Sequence, residues 1–211
     1  FFIFKTAGRK TDNYNVNGGL LLIETVQSSR LVTWDATSEH DKYFEDQKNF
    51  VSKLANEPKH KLTIRLSTHY QERKYNDDSR WYEFDQSLKI DNGNIAIRHL
   101  VADSRLVVHS YDSTGILETL SQNIPTLAFW QNEFDHLLEE AKPYYQTLVD
   151  VGILHLSAQS ASDKVNEVWD DISGWWLKSN IQEAKNKFCD VYAKVSPKPI
   201  KTMVSILTED H

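Results

Sequence analysis

Cysteine occurs once in the 211 residues, at Cys189. A single thiol excludes an internal disulfide framework and fits a reducing compartment. It lies in the helical pattern AKNKFCDVYAKV, where a buried structural thiol is expected. No run of apolar residues approaches the roughly 20 that a membrane-spanning helix needs. Excess positive charge is also missing, since 24 Lys and Arg face 30 Asp and Glu for a net charge of −6. That balance excludes a global basic field for nucleic acid or anionic lipid, so any anionic ligand must be held by local groups. The opening FFIFKTAGRK puts its apolar residues ahead of its basic ones, the reverse of a secretion signal. A start at Phe rather than Met fits a fragment or a processed chain.

Familiar chemical signatures are absent as well. There is no GxGxxG, Walker A loop, GxSxG, HExxH or paired CxxC. The eight histidines are scattered without ligand spacing, so no metal site is expected. Internal repeats and low-complexity linkers are lacking, which favours one domain over two. The length is enough to bury a sizeable core.

What is present is an alternation of short apolar runs with amphipathic stretches. GGLLLIETV (18–26), KLTIRL (61–66), SLKID (87–91), RLVVHS (105–110), PTLAFW (125–130) and ILHL (153–156) read as strands. Between them, 38–57, 94–103, the segment after Ser113 and 132–152 read as helices, the last in two pieces because Pro143 should break or restart it. Residues 67–81 are polar and aperiodic and read as a long loop. Two helices follow, and the last residues look like a tail. This order predicts a Rossmann-like parallel sheet flanked by helices, an α/β fold. The organisation expected is an N-terminal segment (1–17), a domain (18–195) and a C-terminal tail (196–211).

Ligands of open parallel sheets bind beyond the carboxyl ends of the strands. After the fourth strand come His109, Ser110, Asp112, Ser113, Thr114 and Gly115, with Glu118 one turn into a helix. Unpaired N–H groups and the helix dipole there, with the Ser113 and Thr114 hydroxyls, suit a phosphate. Gly115 permits close approach, and Glu118 suits ribose hydroxyls. The same residues are ordinary N-cap types. After the second strand, Arg65, His69, Arg73, Lys74 and Arg80 offer cations for phosphate or carboxylate. After the first, Asp35 is a candidate acid, base or nucleophile, or a helix cap. His155 reads as a packed strand-end histidine.

The blocks YFEDQKNFVSKL, IRLSTH, RLVVHSYDSTGILETLSQNIPTLAFWQNEFDHLLEEAKPYYQTLVDVGILH, SASDKVNEVWDDISGWW and EAKNKFCDVYA resemble, in order, a family of bacterial transferases associated with surface-carbohydrate synthesis. The similarity runs over roughly residues 18–194. The resemblance implies one half of a GT-B glycosyltransferase architecture, the carboxyl-terminal half that binds a nucleotide-sugar donor. It implies an acceptor-binding lobe supplied from elsewhere, without which this chain is inactive. A weaker similarity to bacterial β-Kdo transferases makes CMP-Kdo a candidate donor.

By resemblance, Ser113, Thr114 and Glu118 fall at the donor-binding turn and helix, and Arg65 and His69 fall where the family's Arg and His follow the second strand. From the residues themselves, Asp112 and Gly115 complete the expected donor and phosphate turn, with Arg65 and Arg80 as further phosphate ligands. His69 and Asp35 are the catalytic candidates; Asp35 lies near a carboxylate of the β-Kdo enzymes, and the local match there is poor. No metal or other cofactor is implied. The acceptor would be a cell-surface polysaccharide or glycolipid, and the location cytoplasmic, with at most peripheral contact at the inner membrane. Two alternatives stand beside this reading. One is a sugar-nucleotide epimerase of the same two-lobed fold, since fold does not fix function. The other is a non-catalytic binding module, docking through the Trp-rich VWDDISGWWLK; ordinary helix packing is the plainer use of that segment.

Overall fold

The computed structural model describes residues 2–3, 5–6, 8–25, 40–67, 76–130 and 133–209. Among these residues six strands form one sheet: β1 (Gly19–Ile23), β2 (Leu62–Arg65), β3 (Lys89–Asp91), β4 (Ser104–His109), β5 (Thr126–Phe129) and β6 (Leu154–His155). Their order across the sheet is β3-β2-β1-β4-β5-β6, and every pairing is parallel. The Rossmann-like expectation is therefore the observed fold. The chain winds one way from β1 to β3 and the other way from β4 to β6, so a crevice opens beyond the adjacent ends of β1 and β4.

Continuous apolar strands are what a sheet covered on both faces requires. Alternation sorts them: Leu20 and Leu22 join the large core with Phe50, Trp81 and Leu127. Leu21 and Ile23 join a small cluster with Val107, Leu100 and Ile124 on the other face. The glycine pair opening β1 is a matter of space. A Cβ on Gly18 would stand 2.2 Å from the Asp103 carbonyl oxygen, and one on Gly19 would stand 2.4 Å from that of Lys61.

The helices are α1 (His40–Lys53), α2 (Asn56–His60), α3 (Asp77–Phe84), α4 (Ile97–Ala102), α5 (Thr114–Ser121) and α6 (Lys142–Asp150), followed by α7 (Ala158–Val168), α8 (Ile172–Trp176), α9 (Ser179–Tyr192) and α10 (Pro199–Glu209). Three differ from the sequence expectation. Part of the supposed loop 67–81 is α3, anchored by fully buried Trp81; one buried aromatic amid polar residues leaves no readable period. Pro143 restarts the chain as helix, sitting in the first turn of α6, where its missing N–H costs nothing, while the stretch 133–141 before it forms turns and not the expected first helical piece. The supposed tail contains α10.

The Trp-rich segment packs inward, with Trp169, Trp175 and Trp176 all buried, as its plainer reading has it. Cys189 is partly buried on α9, and burial pushes its thiol up to about 12. No described helix is long and apolar enough to cross a membrane.

Candidate functional site

The site grows from the end of β4. Ser104–His109 is buried apart from Arg105, and the chain then turns through Ser110–Asp112 into α5. Ser113 has extended backbone and caps the helix: the Gly115 N–H donates to Ser113 Oγ at 3.2 Å. The Ile116 N–H reaches the Ser113 carbonyl at 3.1 Å. The hydroxyl expected to meet a phosphate is thus already engaged as a cap, while Thr114 remains exposed at the helix start.

α5 buries Ile116, Thr119 and Leu120. The Thr119 hydroxyl lies 3.2 Å from the Gly115 carbonyl and 3.1 Å from that of Ile116. Its single hydrogen goes to one of these, so at 3.2 Å it accepts from His109 Nε2. That fixes the tautomer, with hydrogen on Nε2 and a bare lone pair on Nδ1. His109 is 1% exposed, and its Nδ1 has no hydrogen-bond partner among the described residues. Burial pushes its pKa down to about 3, so the ring is neutral at neutral pH.

Between α4 and α5, below this turn, lies a cleft of about 470 Å³. Its floor is apolar, with Ile23, Val101 and Ile124, and its rim is basic, with Lys5, Arg9, Lys10, Arg98 and His99. His109, Ser113, Thr114, Gly115 and Glu118 form one wall. The N-terminal segment closes the rim. Lys5 Nζ donates to Glu118 Oε1 at 2.6 Å across 113 residues, and Arg9 stands 3.6 Å from Oε2. Asp12 holds the segment to the far end of α5, through its N–H to the Gln122 carbonyl at 2.8 Å and its carboxylate to Asn123 Nδ2 at 2.6 Å. Glu118 is the one carboxylate among the described residues lining the cleft. Its two oxygens keep lone pairs beyond those used by Lys5 and Arg9.

The structure gathers Ser113, Thr114, Gly115 and Glu118 at the cleft and turns the side chains of Arg65, Arg80 and Asp112 elsewhere. Arg65 is 7% exposed and buried in an ion pair with Asp91, its neighbour in β2–β3 register; it does not line the cleft. Arg80 packs its guanidinium over the Phe44 ring, 3.9 Å from the centroid, on the opposite face of the sheet. Asp112 turns toward the β5–α6 connection and accepts from His136 at 3.0 Å and from the Tyr145 hydroxyl at 3.5 Å. Asp35 and His69 lie outside the described residues. Among the described residues no cluster of His, Cys, Asp or Glu has the makings of a metal site. His155 is buried, with Nε2 on the Gly152 carbonyl at 3.1 Å and Nδ1 on Ser160 Oγ at 2.8 Å.

Sequence reasoning missed the basic rim, since Lys5, Arg9, Lys10 and Arg98 reach the cleft through tertiary contacts. It also missed Glu24, although its place directly after a buried strand was a signal. Glu24 is 7% exposed, and the Trp81 indole N–H donates to its two oxygens at 3.1 and 3.2 Å. Burial pushes its pKa up to about 8, against the opposing Trp81 hydrogen bond. At the same crevice the Thr25 N–H donates to the Tyr43 hydroxyl at 3.0 Å, which donates to Ser110 Oγ at 2.8 Å. Ser110 in turn donates to the Ile23 carbonyl at 3.0 Å. This relay ties the ends of β1 and β4 to α1.

Fold and site together define a Rossmann-like α/β protein with a basic cleft at the mouth of a helix. The chain belongs to the LIC12162 family of transferases, whose family model matches residues 2–207. It is thus part of an enzyme family that transfers groups. No curated protein matches it.

Among solved structures, the wall teichoic acid polymerase TagF shares the fold with TM-score 0.50 and 13% identity, over 96% of this chain and 44% of that one. TagF soaked with CDPG gives 0.49 and 15%, over 97% and 43%. The spinosyn rhamnosyltransferase SpnG complexed with thymidine diphosphate gives 0.47 and 11%, over 94% and 47%. The chain therefore spans less than half the length of these structures.

Proposed function

We propose that this chain is the donor-binding half of a glycosyltransferase and that a nucleotide sugar occupies the cleft between α4 and α5. The observation that carries the reading is electrostatic. A chain of net charge −6 concentrates Lys5, Arg9, Lys10 and Arg98 around one cleft, beside the N-terminal end of α5. Such a site favours a phosphate or diphosphate, while the apolar floor suits a flat base. The transferase family and the shared fold support the same reading.

In this arrangement the phosphates meet the Thr114 end of α5 with Lys10 and Arg98, and Glu118 accepts from ribose hydroxyls. The cations offset charge developing on the leaving phosphate. The sugar passes to an acceptor carried by a second lobe. Calorimetric titration with CMP-, CDP-, UDP-, GDP- and dTDP-linked sugars tests it. One class of nucleotide is expected to bind, and more weakly to Glu118→Ala. Absence of binding by all of them at millimolar concentration overturns the assignment.

A further inference from the structure

Asp112 and His136 form a second constellation next to the cleft, outside its lining. Asp112 belongs to the loop after β4, two residues before α5 begins, and His136 belongs to the connection after β5. Both loops stand at the carboxyl edge of neighbouring parallel strands, where open α/β sheets do their chemistry. His136 Nε2 is 3.0 Å from Asp112 Oδ2, and Tyr145 donates to the other carboxylate oxygen at 3.5 Å. Trp130 meets the imidazole edge-on, with centroids 5.7 Å apart. The side chain of His136 is nevertheless 43% exposed.

The chemistry of the pair fixes the proton. A carboxylate oxygen accepts hydrogen bonds, so the His136 nitrogen facing Asp112, Nε2, carries a hydrogen, and Nδ1 is the nitrogen left to take up a further proton. A base oriented by a carboxylate, itself held by a third group, is the arrangement that general-base catalysis uses. Resting on the glycosyltransferase reading above, we infer that His136 is the proton acceptor of the transfer and Asp112 its positioning residue. The acceptor hydroxyl gives its proton to His136 Nδ1 as its oxygen bonds to the anomeric carbon. The bond from that carbon to the phosphate oxygen breaks, and the nucleotide leaves with the electron pair. The imidazolium formed is stabilised by Asp112 and later yields its proton to solvent.

The test uses the full-length protein, the nucleotide sugar that binds in calorimetry and its acceptor, with His136→Ala, His136→Gln and Asp112→Asn. The Gln variant keeps a donor for Asp112 and lacks a base. Both His136 variants are expected to lose kcat by roughly 100-fold or more, with donor Kd within about twofold by the affinity scale. Added imidazole is expected to restore part of the His136→Ala rate. Asp112→Asn lowers kcat without changing donor Kd. Undiminished kcat in His136→Gln, or a loss confined to donor affinity, overturns the proposal and leaves the donor site standing. Failure of every nucleotide sugar to bind the wild-type protein removes both.

Discussion

The imidazole of His109 packs against Gly115 and occupies the space a side chain there would need. A methyl group at Gly115 would come within 2.9 Å of His109 Cε1 and 3.2 Å of Nδ1. The glycine in the first turn of α5 is therefore fixed by a buried neutral histidine. Gly115→Ala is expected to destabilise the protein by about 1–3 kcal/mol, the range for overpacking, measured by urea denaturation. Adding His109→Ala is expected to relieve part of that cost, because contacting residues couple. Strict additivity of the two changes would show that this contact does not set the requirement for glycine.

Lys10 and Arg98 are predicted to hold a nucleotide phosphate. A hydrogen bond to a charged group is worth roughly 1.5–3 kcal/mol, so Lys10→Ala and Arg98→Ala should each weaken nucleotide binding by about tenfold or more. The loss should shrink as salt rises, since partly exposed charges are screened. Calorimetry at two ionic strengths checks both points; unchanged affinity in both variants would empty the rim of its role.

Arg65 is predicted to serve stability rather than binding. Its ion pair with Asp91 is buried, and removing one partner of such a pair costs about 3–5 kcal/mol. Arg65→Ala should therefore show a large fall in unfolding free energy, and Arg65→Met with Asp91→Leu a smaller one. A variant that folds normally and fails to bind nucleotide would return Arg65 to the phosphate site.

Glu24 gives a pH dependence of defined sign. Its carboxyl is held protonated in the fold up to about 8, from 4.5 when free. Between those values the folded state keeps a proton that the unfolded state releases, so stability falls as pH rises through this window. Glu24→Gln keeps an acceptor for the Trp81 indole and cannot ionise. It is expected to melt higher than wild type at pH 8, by up to a few kcal/mol at roughly 1.4 kcal/mol per pH unit. The difference should vanish near pH 4.5. Equal melting temperatures across that range would contradict the burial argument.

The sheet was legible because LLLI, LVVH and TLAF are short, uninterrupted apolar runs that fit strands buried on both faces. The turn at Ser113–Gly115 was legible because N-cap chemistry is local to a few residues. The pairing of Arg65 with Asp91 was not, because register across β2 and β3 brings together residues separated by 26 positions. A strand-end arginine looks the same in sequence whether it faces a ligand or a neighbouring carboxylate. The cleft's basic rim was hidden for a similar reason: Lys5 and Arg9 find Glu118 only after the whole sheet has formed. Asp112 was correctly placed at the carboxyl edge, but its partner His136 comes from the next connection, which carries no periodic signal.

The location of the donor site is tested most directly by NMR of the ¹⁵N-labelled chain during titration with the nucleotide sugar that binds. Shifts concentrated at the amides of Thr114, Gly115 and Glu118, and at Lys10 and Arg98, are the predicted result. A nucleotide that binds while leaving those amides unmoved and perturbing residues elsewhere would contradict it.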